Sequence, residues 1–523
     1  MKKTIFVLTA LLYGTFMIAQ TEFDAQKLVQ PDITGTARYM GMAGAFSALG
    51  GDASAIKDNP GGLGIYRSSE ITGTIDFLYQ NSNSQWNGTT ANDNLLNLGF
   101  TNFAYILAKP TFRSESCNSG LQSSNWSFSY NRLKSFDRNS TINSVNSTSS
   151  ITDYMSYFTG NIKSADLSNS NPGTYDPYGN GNIPWISLVG YNGWLINETV
   201  TSGTSSWSSL LSAGELVSPS YSIQERGFID EYSIGWAGNF SNKLFIGATM
   251  NLQDVNYNMN SQYKEVFGNG GGMTLSNSLT TGGIGFNVNA GFIYRPIDIL
   301  RLGLSVHTPT VYALTDNNSA NLDYYLSSTN NGNFDTPGYT NNYLLATPWK
   351  INAGAALILG QKGLISAEYD LSYNKNAYFM DKDYSTQKFR EENSGIPTMI
   401  QNVQTLKIGA EYKYTSNIAF RVGYANMSAG TNPLADLLLQ PNTTRTDVQY
   451  FINNKTNFIT CGFGYRESNW FLDIAYVNKI ENETFYAYNT NALTKLNPSL
   501  AAVIPANVNT ISNNLVFTLG LKF

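Results

Sequence analysis

From Arg67 onward the chain alternates apolar and polar side chains with a period of two, in segments of about ten residues separated by Asn, Ser and Gly stretches. The last segment is the cleanest. In Asn514 to Phe523, Leu515, Phe517, Leu519, Leu521 and Phe523 share one face, and Val516, Thr518, Gly520 and Lys522 share the other. Leu406, Ile408, Ala410, Tyr412 and Tyr414 alternate in the same way with Lys407, Gly409, Glu411 and Lys413. After a turn at Thr415-Ser416-Asn417, Phe420, Val422 and Tyr424 alternate with Arg421, Gly423 and Ala425. Period two sends successive side chains to opposite faces of a β-strand. Fourteen such segments begin near Arg67, Asn94, Ser123, Phe228, Lys243, Gly282, Ile299, Tyr343, Gly363, Val403, Asn417, Thr456, Asn469 and Ser512.

The connections alternate too. Short ones sit at Asn239–Lys243, Tyr294–Asp298, Leu359–Gly363, Tyr414–Asn417 and Arg466–Asn469, with long polar ones between them, the longest from about Asn139 to Gly227. An even strand number with a long-short rhythm predicts an all-β fold, a 14-stranded antiparallel transmembrane β-barrel with short periplasmic turns and long outer loops. The face carrying Ile284, Phe286, Val288, Ala290 and Phe292 would meet lipid, and the one with Gly285, Asn287, Asn289 and Gly291 would meet the lumen. Tyr79, Trp126, Tyr130, Trp236, Tyr294, Trp349 and Trp470 near strand ends suit interfacial girdles. Closure removes the edges that so many strands would otherwise expose. The terminal Phe523 resembles the recognition signal read by the outer-membrane barrel assembly machinery.

Composition agrees with this reading. Aromatic residues make up 13% of the chain and charged residues also 13%, about half the usual soluble share. A net charge of −5 gives no polyanion-binding signature, so nucleic acid is not an expected partner. Lys2 and Lys3, the apolar run Ile5 to Ile18 and small Ala19 read as a signal peptide over residues 1–20. No later window offers the roughly 20 apolar residues of a membrane helix, so a membrane-spanning chain must be a barrel. Cys117 and Cys461 fit no disulfide framework or metal spacing and read as two free thiols.

Between signal and barrel lies Arg38 to Arg67, dense in Gly and Ala, with a bend at Asp58-Asn59-Pro60-Gly61-Gly62 and no strand alternation. Small residues let backbone pack on backbone, so the segment suits the inside of a container. Its core, GMAGAFSALGGDASAIKDNPGGLG, resembles the N-terminal hatch of the FadL/TodX family of outer-membrane channels for long-chain fatty acids and hydrophobic compounds, and TPWKINAGAAL and LKIGAEYKYTSNIAFRVGYAN resemble that family's late strands. Where the family has Asn-Pro-Ala, this chain has Asn59, Pro60 and Gly61, which keeps the turn but is expected to loosen it. The resemblance implies a hatch over residues 21–66 and a barrel over 67–523. It further implies passive transport of fatty acids or aromatic hydrocarbons through an outer groove, a hatch shift, and lateral release near a kinked third strand, here about Ser123 to Phe136.

The outer segments supply apolar patches for such a groove: Ile151, Tyr154, Met155 and Phe158 on a helical turn, then Trp185, Trp194 and Trp207. The same residues also suit the packing of a stable cap. Lumen charges Arg301, Lys350, Lys407, Glu411 and Arg421 suggest salt-bridge ladders that stiffen the wall and hold the hatch, or a site for a ligand carboxylate. His307 is the only histidine and alternates with Arg301, Gly303 and Ser305 on the lumen face, without a nucleophile elbow, so neither a multi-histidine metal site nor a hydrolase is expected. The expected partners are hydrophobic small molecules, outer-membrane lipid and lipopolysaccharide, and the assembly machinery, with the chain a monomer that needs no cofactor. Competing readings are a general porin, a surface adhesion barrel and haem or porphyrin uptake.

Overall fold

Among the described residues, fourteen alternating segments become fourteen wall strands of one antiparallel sheet. The computed structural model describes residues 21–30, 32–111, 119–168, 175–212, 214–435, 444–489 and 503–523. The signal-peptide segment and Cys117 lie outside the described residues. The strands are β1 (Glu70–Trp86), β2 (Thr89–Pro110), β3 (Leu121–Ser135, continued by Arg138–Asn143), β4 (Val217–Phe240), β5 (Leu244–Phe267) and β6 (Gly272–Ile297). Three interrupted strands follow: β7 (Leu300–His307 and Val311–Tyr325), β8 (Tyr339–Ala346 and Lys350–Leu359) and β9 (Gly363–Ser372 and Tyr378–Met380). The wall ends with β10 (Val403–Lys413), β11 (Ile418–Met427), β12 (Tyr450–Arg466), β13 (Trp470–Tyr486) and β14 (Ala506–Lys522). Strands β1 and β14 pair from Glu70–Lys522 to Gln85–Asn507, which closes the cylinder.

The wall is inside-out relative to a soluble protein. Leu96, Ile234, Phe286 and Leu519 are exposed on its outer face, while Asn102, Asn131 and Asp473 are fully buried on the inner one. Trp126, Tyr294, Trp349 and Trp470 stand exposed near strand ends, as amphipathic rings do at a membrane interface. No helix among the described residues is long and apolar enough to cross a membrane. The closed wall with its apolar outer face is that of a transmembrane β-barrel.

Several strands run further outward than the alternation indicates. β4 begins at Val217 rather than near Phe228, β6 at Gly272 rather than Gly282, and β12 at Tyr450 rather than Thr456. Beyond the bilayer the outer face meets water, so Ser218, Ser220 and Ser222 replace the apolar positions and the signal fades while the ladder continues. The longest connection therefore shrinks, and it is not structureless. It carries helices that cap the cylinder, α4 (Ile151–Thr159) and α5 (Trp185–Asn192), and a hairpin of Ile196–Thr201 with Thr204–Ser209.

The N-terminal residues run inside the cylinder. In chain order they form α1 (Glu22–Val29), α2 (Ala37–Met40), α3 (Ala55–Asp58) and a 3₁₀ turn, Pro60–Ile65. Helix α1 starts at a capping box in which Thr21 and Asp24 satisfy each other's main-chain N–H. Met42, Ala43, Phe46 and Ala48 are fully buried against the inner wall.

Candidate functional site

The Asn-Pro-Gly turn is locked at both ends. The Asn59 side chain accepts from the Gly61 N–H at 3.0 Å, which caps the 3₁₀ turn that Pro60 opens. Its amide nitrogen donates to the Ser47 oxygen at 2.6 Å and to the Phe292 oxygen on β6 at 3.1 Å. A Cβ on Gly61 would lie 2.8 Å from the Phe292 Cα and 3.0 Å from the Phe245 oxygen. Gly61 thus does not loosen the turn as expected; it lets the turn touch the wall's backbone. The wall reciprocates, since a Cβ on Gly247 or Gly291 would overlap Pro60 or Asn59.

Charge holds the rest of the segment. Glu368 accepts from the Phe46 and Ser47 N–H groups at 2.8 and 2.7 Å, and Lys407 lies 2.9 Å from Glu368 and 2.7 Å from Asp370. Arg38 pairs with Glu411 at 3.0 Å, Glu411 with Arg421 at 2.7 Å, and Arg421 with Asp473 at 2.6 Å. Higher up, Asp58 is surrounded by Lys57 at 3.2 Å, Lys350 at 4.0 Å and the Tyr39 hydroxyl, with His307 and Ser305 against its main-chain oxygen. Burial alone would raise the Asp58 carboxyl, but Lys57, Lys407 and Lys350 hold it well below the usual carboxylate range. Burial pulls the Lys57 ammonium down, with Asp58 opposing.

The wall is interrupted between β2 and β3. β2 pairs with β1 from Thr89 on, but joins β3 only between Asn102–Asn131 and Pro110–Ser123. Past Asn131, β3 stays paired with β4 alone, shifts register at Arg132–Lys134, and breaks at Phe136-Asp137. Opposite the break, Gly227 has φ +125°, a backbone that L side chains rarely adopt, and its oxygen takes the Phe136 N–H at 2.9 Å. The continuation Arg138–Asn143 folds over the inner face of β1, where Ser140 meets Ser82 at 3.1 Å and Ser84 donates to the Thr141 oxygen at 2.7 Å. Side chains bridge the interruption, Asn97 donating to Asp137. A cavity of about 90 Å³ lies behind it, lined by Asp76, Gly99 and Arg132 among others.

That small cavity shares Asp32, Asp137 and Lys479 with a larger lumen chamber of about 250 Å³ bounded by α1, β3, β4, β5, β12, β13 and β14. The chamber in turn shares Gln30, Asp32 and Lys134 with a third cavity of about 150 Å³ that reaches Asp58 and His307. No family model matches the chain, and no curated protein matches it in sequence. Solved structures do match. The toluene transporter TodX of Pseudomonas putida is 12% identical with a TM-score of 0.50, covering 94% of this chain and 99% of that one. A FadL homologue of Pseudomonas aeruginosa is 11% identical with a TM-score of 0.52, covering 97% of this chain and all of its own. The fold is that of the FadL/TodX family.

Within this FadL/TodX fold the lumen charges named from sequence converge on the N-terminal segment. Arg301 donates to the Leu49 oxygen at 2.9 Å, Lys350 reaches Asp58, Glu411 takes Arg38, and Lys407 and Arg421 support the carboxylates that hold the segment. The candidate groove residues differ in burial. Ile151, Met155 and Trp185 are buried in the cap's own packing, Phe158 and Trp207 are half-buried, and Trp194 is exposed. Only Tyr154 borders the chamber. The helices turn their apolar faces downward because the long strands below offer an apolar rim of Tyr221, Tyr263 and Phe485. Cys461 is a free, exposed thiol on β12. Sequence reading placed Gly291 on the lumen face but missed its contact with Asn59, and missed Gly247, which meets Pro60, altogether. It also missed the chamber's ion pairs, such as Lys27 with Glu225 at 2.7 Å, whose partners are far apart in the chain.

Proposed function

We propose that the protein carries hydrophobic compounds passively across the outer membrane, with residues 21–66 as a hatch and release sideways through the wall. A compound collected at the cap passes Tyr154 into the lumen chamber. From there the way down is blocked by the N-terminal segment, tied to the wall by Asn59, Arg38 and Glu368. The way sideways leads past Arg132 and Asp137 to the unpaired edge of β2. The observation that carries this reading is the stretch of β2 above Asn102 that has left the β3 ladder and is bridged only by side chains, with a lined cavity behind it. A barrel wall otherwise satisfies every main-chain group in its ladder, because unsatisfied groups in hydrocarbon are expensive. The fold shared with a protein described as a toluene transporter and with a FadL homologue supports the same class of cargo. A general porin would leave its lumen open, whereas here the centre is filled by buried Met42, Phe46 and Leu63.

Gly99 faces inward at the interruption, and a Cβ there has only Arg132 Nη1 at 3.9 Å and Asp76 oxygen at 4.0 Å near it. Gly99→Trp therefore fills the opening without forcing the wall apart. Uptake of a radiolabelled alkyl or aromatic compound into cells should fall severalfold in Gly99→Trp while barrel yield stays normal. Unchanged uptake rules out the sideways path.

A further inference from the structure

The two sides of the N-terminal segment carry opposite charge balances. Seven acidic and five basic side chains line the chamber under the cap. On the other side, toward the short turns, a cavity of about 290 Å³ reverses this: Arg38, Arg301, Lys413, Arg421 and Arg466 line it against Glu411 alone. The segment closes one side of this cavity through Arg38, Leu49, Gly51 and Ile65, and the turn residues Gln361, Ser416 and Asn417 border the other. A neighbouring cavity that shares Gly51, Ile65 and Arg466 is balanced, with Arg67, Arg466 and Lys522 facing Asp52, Glu70 and Asp473. The surplus is therefore local.

Two carboxylates serve three of the five cations. Glu411 lies 3.0 Å from Arg38 and 2.7 Å from Arg421, and Asp473 lies 2.6 Å from Arg421 and 3.9 Å from Arg466. Arg301 and Lys413 form no ion pair among the described residues; Arg301 gives one N–H to the Leu49 oxygen at 2.9 Å. These weakly engaged groups are also the accessible ones. The Arg466 side chain is 34% exposed, Lys413 is exposed and Arg301 is half-buried, whereas Arg421 is fully buried in its pairs. Arginine does not shed its proton to escape such crowding. Like charges gathered in a space partly shielded from water repel, and an anion entering between them removes that repulsion.

We propose that this cavity binds a soluble phosphate, inorganic phosphate or a small phosphate monoester, which bridges the wall to the N-terminal segment and holds it seated. Five cations less Glu411 and Asp473 leave three positive charges uncompensated, which favours a dianion over a carboxylate and gives a neutral compound nothing. Phosphate oxygens also match the planar donors of Arg301 and Arg466 and the ammonium of Lys413. The lining side chains stand on the inner face, with the wall between them and the bilayer, so the ligand arrives from water rather than as a lipid head group. The site lies across the segment from the chamber, and its binding stands whether or not the sideways path does.

The test is calorimetric titration of the full barrel, held in amphipol at about pH 8, where phosphate is mostly a dianion. Inorganic phosphate, glycerol 3-phosphate, acetate and dihexanoyl phosphatidic acid are compared at constant ionic strength. The first two should bind roughly tenfold more tightly than acetate or better, the difference expected from added charge-assisted hydrogen bonds, and their affinity should fall as salt is raised. Lys413→Gln changes an exposed side chain and should weaken phosphate severalfold by itself; with Arg466→Gln the loss should reach roughly tenfold or more. Bound phosphate should slow hydrogen exchange of residues 38–51. Acetate binding as tight as phosphate overturns the proposal, as does unchanged phosphate affinity in variants with normal heat-modifiable mobility. Tighter binding of the phosphatidic acid than of glycerol 3-phosphate moves the site to a lipid head group and overturns the soluble ligand. Phosphate binding that leaves the exchange of residues 38–51 unchanged overturns the bridge to the segment.

Discussion

The side-chain amide of Asn59 donates to the main-chain oxygen of Phe292, joining the N-terminal turn to the backbone of β6 at 3.1 Å. That bond sits where three chain segments meet, since the same amide holds Ser47 and the same side chain caps Gly61. Asn59→Ala removes all three links and leaves the Ser47 and Phe292 oxygens to find other partners. The expected local loss is about 1–3 kcal/mol, enough to raise the open fraction of the segment by one to two orders of magnitude. Single-channel recording in planar bilayers should show more frequent openings, with barrel mobility on gels unchanged. Deleting Arg38 to Tyr66 should give a large constant conductance; the closed conductance of the intact chain in either variant refutes the hatch.

A second prediction concerns the wall side of the same contact. Lys407 lies between Glu368 and Asp370, and all three are buried. Lys407→Met leaves two carboxylates in the interior without their cation, which should cost about 3–5 kcal/mol. Adding Asp370→Asn should recover a good part of that, because the remaining carboxylate, Glu368, keeps the Phe46 and Ser47 N–H donors. Urea titration followed by gel mobility measures both. Equal stability of Lys407→Met and the parent chain contradicts the ion-pair account.

The barrel was legible because lipid and lumen impose opposite demands on alternate residues, and Leu515, Phe517 and Leu519 against Val516, Thr518 and Gly520 record that contrast in plain sequence. The strand ends were less legible, since outside the bilayer Ser218 or Thr274 serves either face. The N-terminal turn could be picked out from Asn59-Pro60-Gly61, yet the role of Gly61 was misjudged, because tightness depends on Phe245 and Phe292, over a hundred residues away. The chamber was not legible at all. Lys27, Glu225, Arg138 and Glu483 carry no common spacing, and only closure of the sheet brings them together. The apolar cap residues were visible, but periodicity alone does not distinguish a groove from a core.

Acidity should tighten the seating of α1. Burial pushes the Glu22 carboxyl up to about 7, with Glu392 and Asp24 adding repulsion. Glu392, on the cap helix α6 (Arg390–Met399) that packs against α1, is likewise raised by burial to about 7. A carboxyl that holds its proton more tightly when docked than when free favours docking as pH falls. The stabilisation is complete below the ordinary value of 4.5 and is lost as pH rises through about 7. Hydrogen exchange of residues 22–29 should therefore be slower at pH 5.5 than at pH 8 after correction for the intrinsic rate. Glu22→Gln should remove most of that difference; a pH dependence that survives the substitution assigns it elsewhere.

Phe523 combines two roles that one substitution separates. Its main chain exchanges both bonds with Ser69 at 3.1 Å, which finishes the seam between β14 and β1. Its ring is largely exposed on the lipid face and stacks on Tyr105, with ring centroids 6.3 Å apart. Deleting the residue removes both features and confounds them. Phe523→Ala keeps the main-chain bonds and discards the ring, so the seam should hold and the folded barrel should unfold at nearly the parent's urea concentration. If the ring is the mark by which the assembly machinery takes up the chain, the yield of heat-modifiable barrel in the outer membrane should nevertheless fall severalfold. Normal yield with lowered stability makes Phe523 a packing residue and removes its role as a signal.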